Sequence, residues 1–559
     1  MEREGKILQY KWNIHQSYQG DFFDVIKKEK KLTDDDLYNF IHIRESKYRN
    51  PNLLPNIDKA IERTKQAIQN HEHILISGDY DCDGITSTSI MMIGLSSLTP
   101  YVEWTVPERT DGYGLSKKII DNAIQNHINL IITVDNGIST KYVIDYANKN
   151  NIDVIVTDHH PMVTSDVLPT EITVDPQIEE SYPFKSICGC MVAYKFLRML
   201  ISDLPKKEIH NEIVVLTMFG TIADVMSLTD ENRKFVYNGL KLLNQKQHIS
   251  YGIDALVKAL KLSKGNITST NIAFSIAPCI NALGRIDDSK IGVELFLADD
   301  EVKATRLAEK SASINEKRKQ FQNEALQNIK IDNNSSFIIE TIDSKYPGLI
   351  GAIAGKFANK YQKPCFMLHE LTDGRLSGSG RTIGNFAINT CISDNMDICT
   401  GGGHASACGI TMKKDNLQEF KKRCFASYNK YLKDNQAEIA EPTKDFLCEL
   451  NFNDIDDELM SKINTLEPFG KDNPMPEFCS HKVLVQDYKI LGALQNTVKL
   501  ELYQNGKILT GITFNETKDK FVEELNCPKY INIGYTLNYN YWRGNRTLQL
   551  LINDFQVSG

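Results

Sequence analysis

Four short clusters of acids and histidines, each following a run of apolar residues, carry the chemistry of this sequence. They are Gly78-Asp79-Tyr80-Asp81-Cys82-Asp83-Gly84, Val134-Asp135-Asn136-Gly137, Thr157-Asp158-His159-His160 and Gly220-Thr221-Ile222-Ala223-Asp224. Charged groups beside a core are costly unless partners or metal ions neutralise them. In an extended segment Asp79, Asp81 and Asp83 point the same way, because side chains alternate with period two. Three carboxylates on one side repel one another unless cations lie between them. Oxygen ligands with one or two imidazoles suit Mg²⁺ or Mn²⁺ better than zinc. Two such ions about 3.5 to 4 Å apart generate hydroxide, hold a phosphoryl oxygen and stabilise a leaving oxyanion, so phosphoester hydrolysis is the chemistry expected. Each cluster alone has a structural reading as well: Asp135 starts a turn and Asp158 caps a helix. Four clusters in one region favour the metal.

The elements that must position these groups are legible in the apolar pattern. Ile74-Leu75-Ile76, Leu130-Ile131-Ile132, Val154-Ile155-Val156 and Ile172-Thr173-Val174 are short apolar runs, each followed by polar residues and a longer helical pattern. That alternation predicts parallel strands in an α/β sheet, with the site beyond their carboxyl ends. The fourth cluster ends the run Ile213 to Phe219, which suits either a buried helix or a strand. Residues before about 70 read as a helical lead-in. From Val293 to Tyr346 there is neither Gly nor Pro, and Leu307, Ile314, Phe321, Ala325 and Ile329 fall near one helical face, which predicts a long bridging helix. Beyond it, Phe337-Ile338-Ile339 and Pro364-Cys365-Phe366-Met367-Leu368 predict strands flanking a helix from Gly348 to Tyr361, with Gly401-Gly402-Gly403-His404 near the far end of this second α/β unit. An acidic stretch around Asp434 to Lys444 reads as a linker. From about His481, short alternating runs separated by turn signals such as Gln504-Asn505-Gly506 predict a small β-barrel.

Composition narrows the class. The 559 residues exceed one core and predict three or four units, with 41% apolar and 24% charged residues as in ordinary globular protein. No apolar run is long enough to cross a bilayer, and Met1-Glu2-Arg3-Glu4-Gly5-Lys6 lacks the order of a secretory signal, so a cytoplasmic protein is expected. The 12 cysteines are scattered singly apart from Cys188-Gly189-Cys190 and have no zinc-finger spacing; they read as buried or incidental thiols. A net charge of −8 gives no global attraction to nucleic acid, so any DNA must be held by a local basic groove and bound metal.

In order, the four clusters resemble the motifs of the DHH phosphoesterases. Asn281-Ala282-Leu283-Gly284-Arg285, Gly348-Leu349-Ile350-Gly351, Gly378-Ser379-Gly380-Arg381-Thr382, Gly401-Gly402-Gly403-His404 and Pro468-Phe469-Gly470-Lys471-Asp472-Asn473-Pro474 narrow the likeness to the RecJ exonucleases, which are specific for single-stranded DNA. Thr382, Cys408 and Asp175 stand where that family often has Ser, Ala and Asn. The resemblance implies an α/β protein: a DHH parallel-sheet domain and a DHHA1-type α/β domain joined by a long helix, then a C-terminal OB-fold barrel. The expected boundaries are a helical lead-in over 1–70, the DHH domain over 71–245, a helical connector over 246–330, the DHHA1 domain over 331–430, a linker over 431–480 and the OB domain over 481–559.

Carried over by motif, the resemblance makes Asp81, Asp83, Asp135, His159 and Asp224 metal ligands for two divalent ions, Mn²⁺ or Mg²⁺. Asp135 lies between the ions, and Asp79 is either a ligand or an orienting group. Asp135, His159, His160 and Asp158 form the catalytic set; His160 faces the scissile phosphate or else positions His159. Arg109, Arg285, Ser379 and Arg381 are expected to bind a 5′-phosphate, with Tyr113 as a stacking platform and His404 as a phosphate or backbone contact. Glycines 284, 378 and 380 are expected to let backbone approach the phosphate. Tyr539 to Arg546 interleaves aromatic rings and guanidinium groups as a strand-binding surface of the barrel needs.

The function implied is processive 5′-to-3′ hydrolysis of single-stranded DNA to 5′-mononucleotides by a monomeric enzyme of recombination and repair. A single-strand-binding protein and a RecQ-type helicase are the implied partners, and no membrane is involved. Two rivals stand beside it: a DHH enzyme of short oligoribonucleotides, which generally stops after the second domain, and an inactive replication-associated homologue, against which the presence of every motif acid counts.

Overall fold

The computed structural model describes residues 10–43, 48–108, 112, 114–162, 167–201, 207–245, 247–329, 331–332, 335–343, 347–435, 443–491, 497–514, 529–542 and 545–557. The chain forms two compact units, one from residues 47–434 with 470–472, the other from 1–46, 435–469 and 473–559. Among the described residues no helix is long and apolar enough to cross a membrane.

The larger unit opens with a five-stranded parallel sheet in the order Val102–Thr105, Ile74–Ser77, Leu130–Val134, Asp153–Thr157, Thr173–Val174. Its central strands are buried throughout because helices cover both faces, which is why they read as unbroken apolar runs. Strand order reverses between Ile74–Ser77 and Leu130–Val134, the place where an open α/β sheet leaves a crevice. Asp79 to Asp83 follow the first of these strands and Asp135 the second. The run Ile213 to Phe219 resolves as helix, part of Lys207–Ala223.

The helix Glu301–Asn328 has 28 residues, about 42 Å at 1.5 Å per residue. Asp300 caps it, accepting from Lys303 N at 2.8 Å. Its first half contributes Leu307, Ala308 and Ile314 to the core of the parallel-sheet domain, and Phe321, Ala325 and Leu326 pack on the core of a second α/β domain. The bridge expected from the sequence is therefore present. The second domain has five strands in the order Cys399–His404, Ala407–Lys413, Arg375–Arg381, Cys365–Glu370, Ile338–Thr341, with only the last pair parallel. The helix Ile350–Tyr361 packs on this sheet.

In the smaller unit, Phe478–Leu491, Thr497–Gln504, Lys507–Phe514, Asn545–Val557 and Lys529–Trp542 pair in that order. Lys529–Trp542 returns to pair with Phe478–Leu491, so five strands close into the expected barrel. Two further strands extend it. Thr443–Glu449 pairs in parallel with Phe478–Leu491, and Lys11–Gln16 pairs in parallel with Thr443–Glu449. Among the described residues, the segment expected as a helical lead-in thus begins with a strand, followed by the helices Phe22–Glu29 and Asp34–Ile41 and, in the larger unit, Ile57–Gln69. The stretch expected as a linker holds the Thr443–Glu449 strand and the helix Asp457–Asn464.

Candidate metal centre

Asp81 is the N-cap of the helix Cys82–Leu95, its carboxylate accepting from Gly84 N at 3.0 Å. The cap sets the helix so that Asp83, in its first turn, points inward. There Asp83 accepts from Gly189 N at 2.7 Å and Cys190 N at 2.9 Å, the first N–H groups of the helix Gly189–Leu200. Those donors have no intrahelical partner and the helix end is electropositive, so a buried anion is stabilised there. Asp135 leaves its strand with φ 63°, a left-handed conformation tolerated best by Asn and Asp among non-glycine residues, and its N–H donates to Thr157 O at 3.1 Å. Asn136 ties this turn to the neighbouring strand, its side-chain amide donating to Ser77 O at 3.1 Å and Val134 O at 2.9 Å.

His159 stands at the centre. Its Nε2 lies 3.1 Å from an Asp135 oxygen, 3.5 Å from Asp224 and 3.7 Å from Asp83. The ring also hydrogen-bonds the backbone of Ile187. Because Nε2 has no hydrogen-bond partner among the described residues, that bond belongs to Nδ1 and leaves Nε2 as the face presented to the acids. Gln177 holds the His159 carbonyl at 3.2 Å.

Asp158 turns away from this group. One oxygen accepts from Ile138 N at 2.9 Å; the other accepts from His159 N at 2.8 Å and meets His160 Nδ1 at 2.8 Å. Burial opposes its charge, but the hydrogen bond and charge of His160 outweigh burial and hold its carboxyl below the ordinary value. His160 is raised in turn to about 9: burial works against the cation, and Asp158, then Asp224 and Asp83, prevail. The two histidine rings lie 4.2 Å apart.

Potential ligand atoms of Asp79, Asp81 and Asp135 lie within 4.8 Å of one another, as do those of Asp83, His159 and Asp224, and those of Asp135, His159 and His160. Asp83, Asp135 and Asp224 are therefore brought to His159, and Asp79 and Asp81 join them through Asp135. Burial first, then the neighbouring carboxylates, push Asp135 well above the ordinary value and Asp224 to about 8; Asp81 is raised by burial and by Asp83. Buried His159 Nε2 and Asp224 Oδ2 find no hydrogen-bond partner among the described residues. A donor set that resists carrying its charge, with unsatisfied nitrogen and oxygen atoms aimed inward, fits hard divalent cations.

The expected phosphate contacts divide. Arg285 joins Tyr80, Asp81 and Asn281 around a pocket of about 220 Å³ beside the acids, and its guanidinium donates to Gly348 O at 3.2 Å. Asn281 Oδ1 accepts from Cys82 N at 2.8 Å, so it braces the acid-bearing helix. Ser379 and Arg381 lie together on the second sheet, both facing Gly351. His404 is exposed at its strand end, and no hydrogen bond or ion pair joins it to the acids among the described residues. Arg109 and Tyr113 lie outside the described residues. The glycines have another reason than phosphate approach: a Cβ on Gly284 would sit 2.5 Å from Tyr80 O, and one on Gly378 2.2 Å from Met367 O. In the barrel unit the Tyr539 ring is already covered, with the Arg546 guanidinium 4.3 Å from its centroid and Asp457 bonding its hydroxyl at 2.7 Å. The sequence pattern does not single out Gln177, and it gives no role of their own to Asn136, which sits in the second cluster, Asn281 or Gly189. Neutral amides and a glycine carry no charge pattern to find them by, although Asn281 and Gly189 sit within the Asn281–Arg285 and Cys188–Cys190 stretches.

Three family models match the chain: the DHH family N-terminal domain over residues 73–221, the DHHA1 domain over 334–429 and the RecJ OB domain over 448–554. The single-stranded-DNA-specific exonuclease RecJ of Haemophilus influenzae is 30% identical over 555 residues, covering 93% of this chain and 95% of its own length. That of Bacillus subtilis is 30% identical over 536 residues, and this chain spans 66% of its length. RecJ from Thermus thermophilus, solved in complex with Mn²⁺, superposes with a TM-score of 0.77 at 22% identity, covering 98% of this chain and 80% of that one.

Proposed function

Since this chain belongs to the RecJ family of DHH phosphoesterases, we propose that it is a single-stranded-DNA-specific exonuclease that hydrolyses phosphodiester bonds with two divalent cations, Mn²⁺ or Mg²⁺. The observation that carries this reading is the convergence of three carboxylates on His159 Nε2, at 3.1, 3.5 and 3.7 Å, from four separate parts of the sequence. In the proposed assignment Asp79 and Asp81 would hold one cation, Asp83, His159 and Asp224 would hold the other, and Asp135, which neighbours both groups, would contribute to both. Cations bound there supply activated water and stabilisation of the leaving oxygen. The residues supply the rest. Asp83, clamped by two backbone N–H groups, fixes one side of the cradle. Asp158 orients His160, whose ring is placed to donate to a phosphate oxygen, and Arg285 offers a guanidinium beside Asp81.

Cleavage from 5′ to 3′, processivity and release of 5′-mononucleotides are part of the same proposal and follow the family likeness. So do a cytoplasmic location, a monomeric state and assistance by a single-strand-binding protein or a RecQ-type helicase. The RecJ OB match over 448–554 supports long DNA over short oligoribonucleotides, because it continues the likeness past the second α/β domain.

The test is digestion of 5′-labelled and 3′-labelled single strands with Mn²⁺ and with EDTA, for the native protein and Asp135→Ala. The expected outcome is cleavage with Mn²⁺, none with EDTA, and a loss of about a thousandfold or more in Asp135→Ala with strand binding retained. An active Asp135→Ala enzyme, or cleavage indifferent to EDTA, overturns the assignment.

A further inference from the structure

A chain of net charge −8 that grips DNA must keep some cations unneutralised where the strand runs. Most arginines and lysines near acids in this structure are paired off. Arg318, Lys356 and Arg381 of the two-domain unit are among those that are not: no carboxylate lies within ion-pair distance of them among the described residues.

Arg318 lies on the long helix one turn before Phe321, where that helix packs on the core containing Ile350, Ile353, Ala354 and Phe357. It is half-buried, and its orientation is fixed by two amides of its own helix. Nε donates to Asn315 Oδ1 at 2.9 Å, and Nη1 to Gln322 Oε1 at 3.2 Å. Asn315 and Gln322 are each only 2% exposed. Buried amides are costly unless their hydrogen bonds are used, and here they hold a guanidinium without cancelling its charge. The adjacent acid, Glu316, is taken by Lys319 at 2.7 Å. Among the described residues Nη2 has no such anchor.

The helix Ile350–Tyr361 links Arg318 to the metal centre. Just before it, Gly348 O accepts from Arg285, which lines the pocket beside Asp81. A Cβ on Gly351 would sit 2.9 Å from Arg381 Nη2 and 3.2 Å from Ser379 Oγ, and one on Gly355, a turn later, 3.9 Å from Arg381 Cγ. Arg381 therefore lies across the glycine face of this helix, and Lys356 is the next residue. Lys356 is exposed, yet the protein around it and then the positive charge of Arg318 hold its pKa below the ordinary lysine value. Arg285 and Arg381 thus meet the start of this helix at Gly348 and at Gly351 and Gly355, Lys356 stands one residue further on, and the long helix that carries Arg318 packs against the same helix.

We propose that Arg318 and Lys356 form a further phosphate-binding station for single-stranded DNA, continuing outward from Arg285 and Arg381 along the helix Ile350–Tyr361. It rests on the exonuclease reading and extends it, naming residues that hold the strand beyond the contacts the motifs supply. A guanidinium pre-oriented by two amides suits phosphate oxygens, and an exposed ammonium adds a mobile point charge.

The experiment is fluorescence anisotropy of end-labelled single strands of 4 and 20 nucleotides, in EDTA, over a series of salt concentrations. Wild type is compared with Arg318→Gln, Lys356→Gln and Lys356→Arg. Each variant to Gln is expected to lower affinity for the longer strand about five- to tenfold, and to reduce the slope of log K against log salt by about 0.7, the share of one single-strand phosphate. Lys356→Arg is expected to restore both, and the loss is expected to be larger for 20 than for 4 nucleotides. Wild-type affinity and slope in Lys356→Gln overturn the station, and because Lys356 is exposed this result stands even if Arg318→Gln fails to fold. Mn²⁺-dependent cleavage of the same 20-nucleotide strand by wild type is read alongside. A wild type that neither binds nor cleaves it overturns the exonuclease reading itself, whereas one that does both confines any failure to the station.

Discussion

Asp175 shows what a single buried acid costs near a site that needs acids. It is fully buried, accepts from Gln177 N at 2.7 Å, and is raised to about 8 by burial and then by the charge of Asp158. A carboxyl whose folded pKa exceeds its unfolded value of about 4 binds more protons in the folded state between those limits. Stability is therefore lost as pH rises from about 4 to about 8. Asp175→Asn keeps the acceptor and removes the titration, so it is expected to stabilise the protein by about 1–3 kcal/mol at pH 7.5 and by much less at pH 5, read as melting temperature against pH. An equal shift at both pH values would show that the carboxyl is not protonated in the fold. At this scale the charged residues of the centre are legible in the sequence, because acids and histidines at the ends of apolar runs are too costly to keep there unless a cation shares their burial. The roles of the amides that brace them are not: Asn136, Gln177 and Asn281 act through hydrogen bonds that only the folded geometry reveals.

Among the elements, the helix Gly189–Leu200 does most to shape the cradle, yet Cys188-Gly189-Cys190 stands out in the sequence only for its thiols. The functional residue there is the glycine. A Cβ on Gly189 would come 2.5 Å from Asp135 Cβ, so only a bare backbone lets the helix end reach Asp83. Gly189→Ala is expected to push the helix away, cost about 1–3 kcal/mol in thermal or urea unfolding, and depress Mn²⁺-dependent cleavage at least tenfold. Full cleavage at native stability would mean the helix end has slack. The strands and the long helix are legible because periodicity and the absence of Gly and Pro mark them strongly. The run Ile213 to Phe219 is ambiguous because a buried element is apolar on every side, whichever its period.

For the molecule as a whole, the strand Lys11–Gln16 could not be read from its own residues. Its exposed, polar alternation offers little to bury, and it exists because Thr443–Glu449 supplies a partner edge. Trp12 fastens it, packing edge-on against Phe446 at 4.8 Å and donating from its indole to Asp554 at 2.7 Å. Trp12→Ala is expected to destabilise this unit by about 2–3 kcal/mol, seen as faster amide exchange across Thr443–Glu449. Unchanged protection there would make the strand an ornament of the barrel.

The same pairing imposes an order on biosynthesis. Asn13 bonds Asp445, a separation of 432 residues. At about 5–20 residues per second, the ribosome takes roughly 20 to 90 s to deliver that partner. For this interval the nascent amino-terminal arm waits without its sheet, while residues 47–434 of the larger unit emerge complete and lack only 470–472.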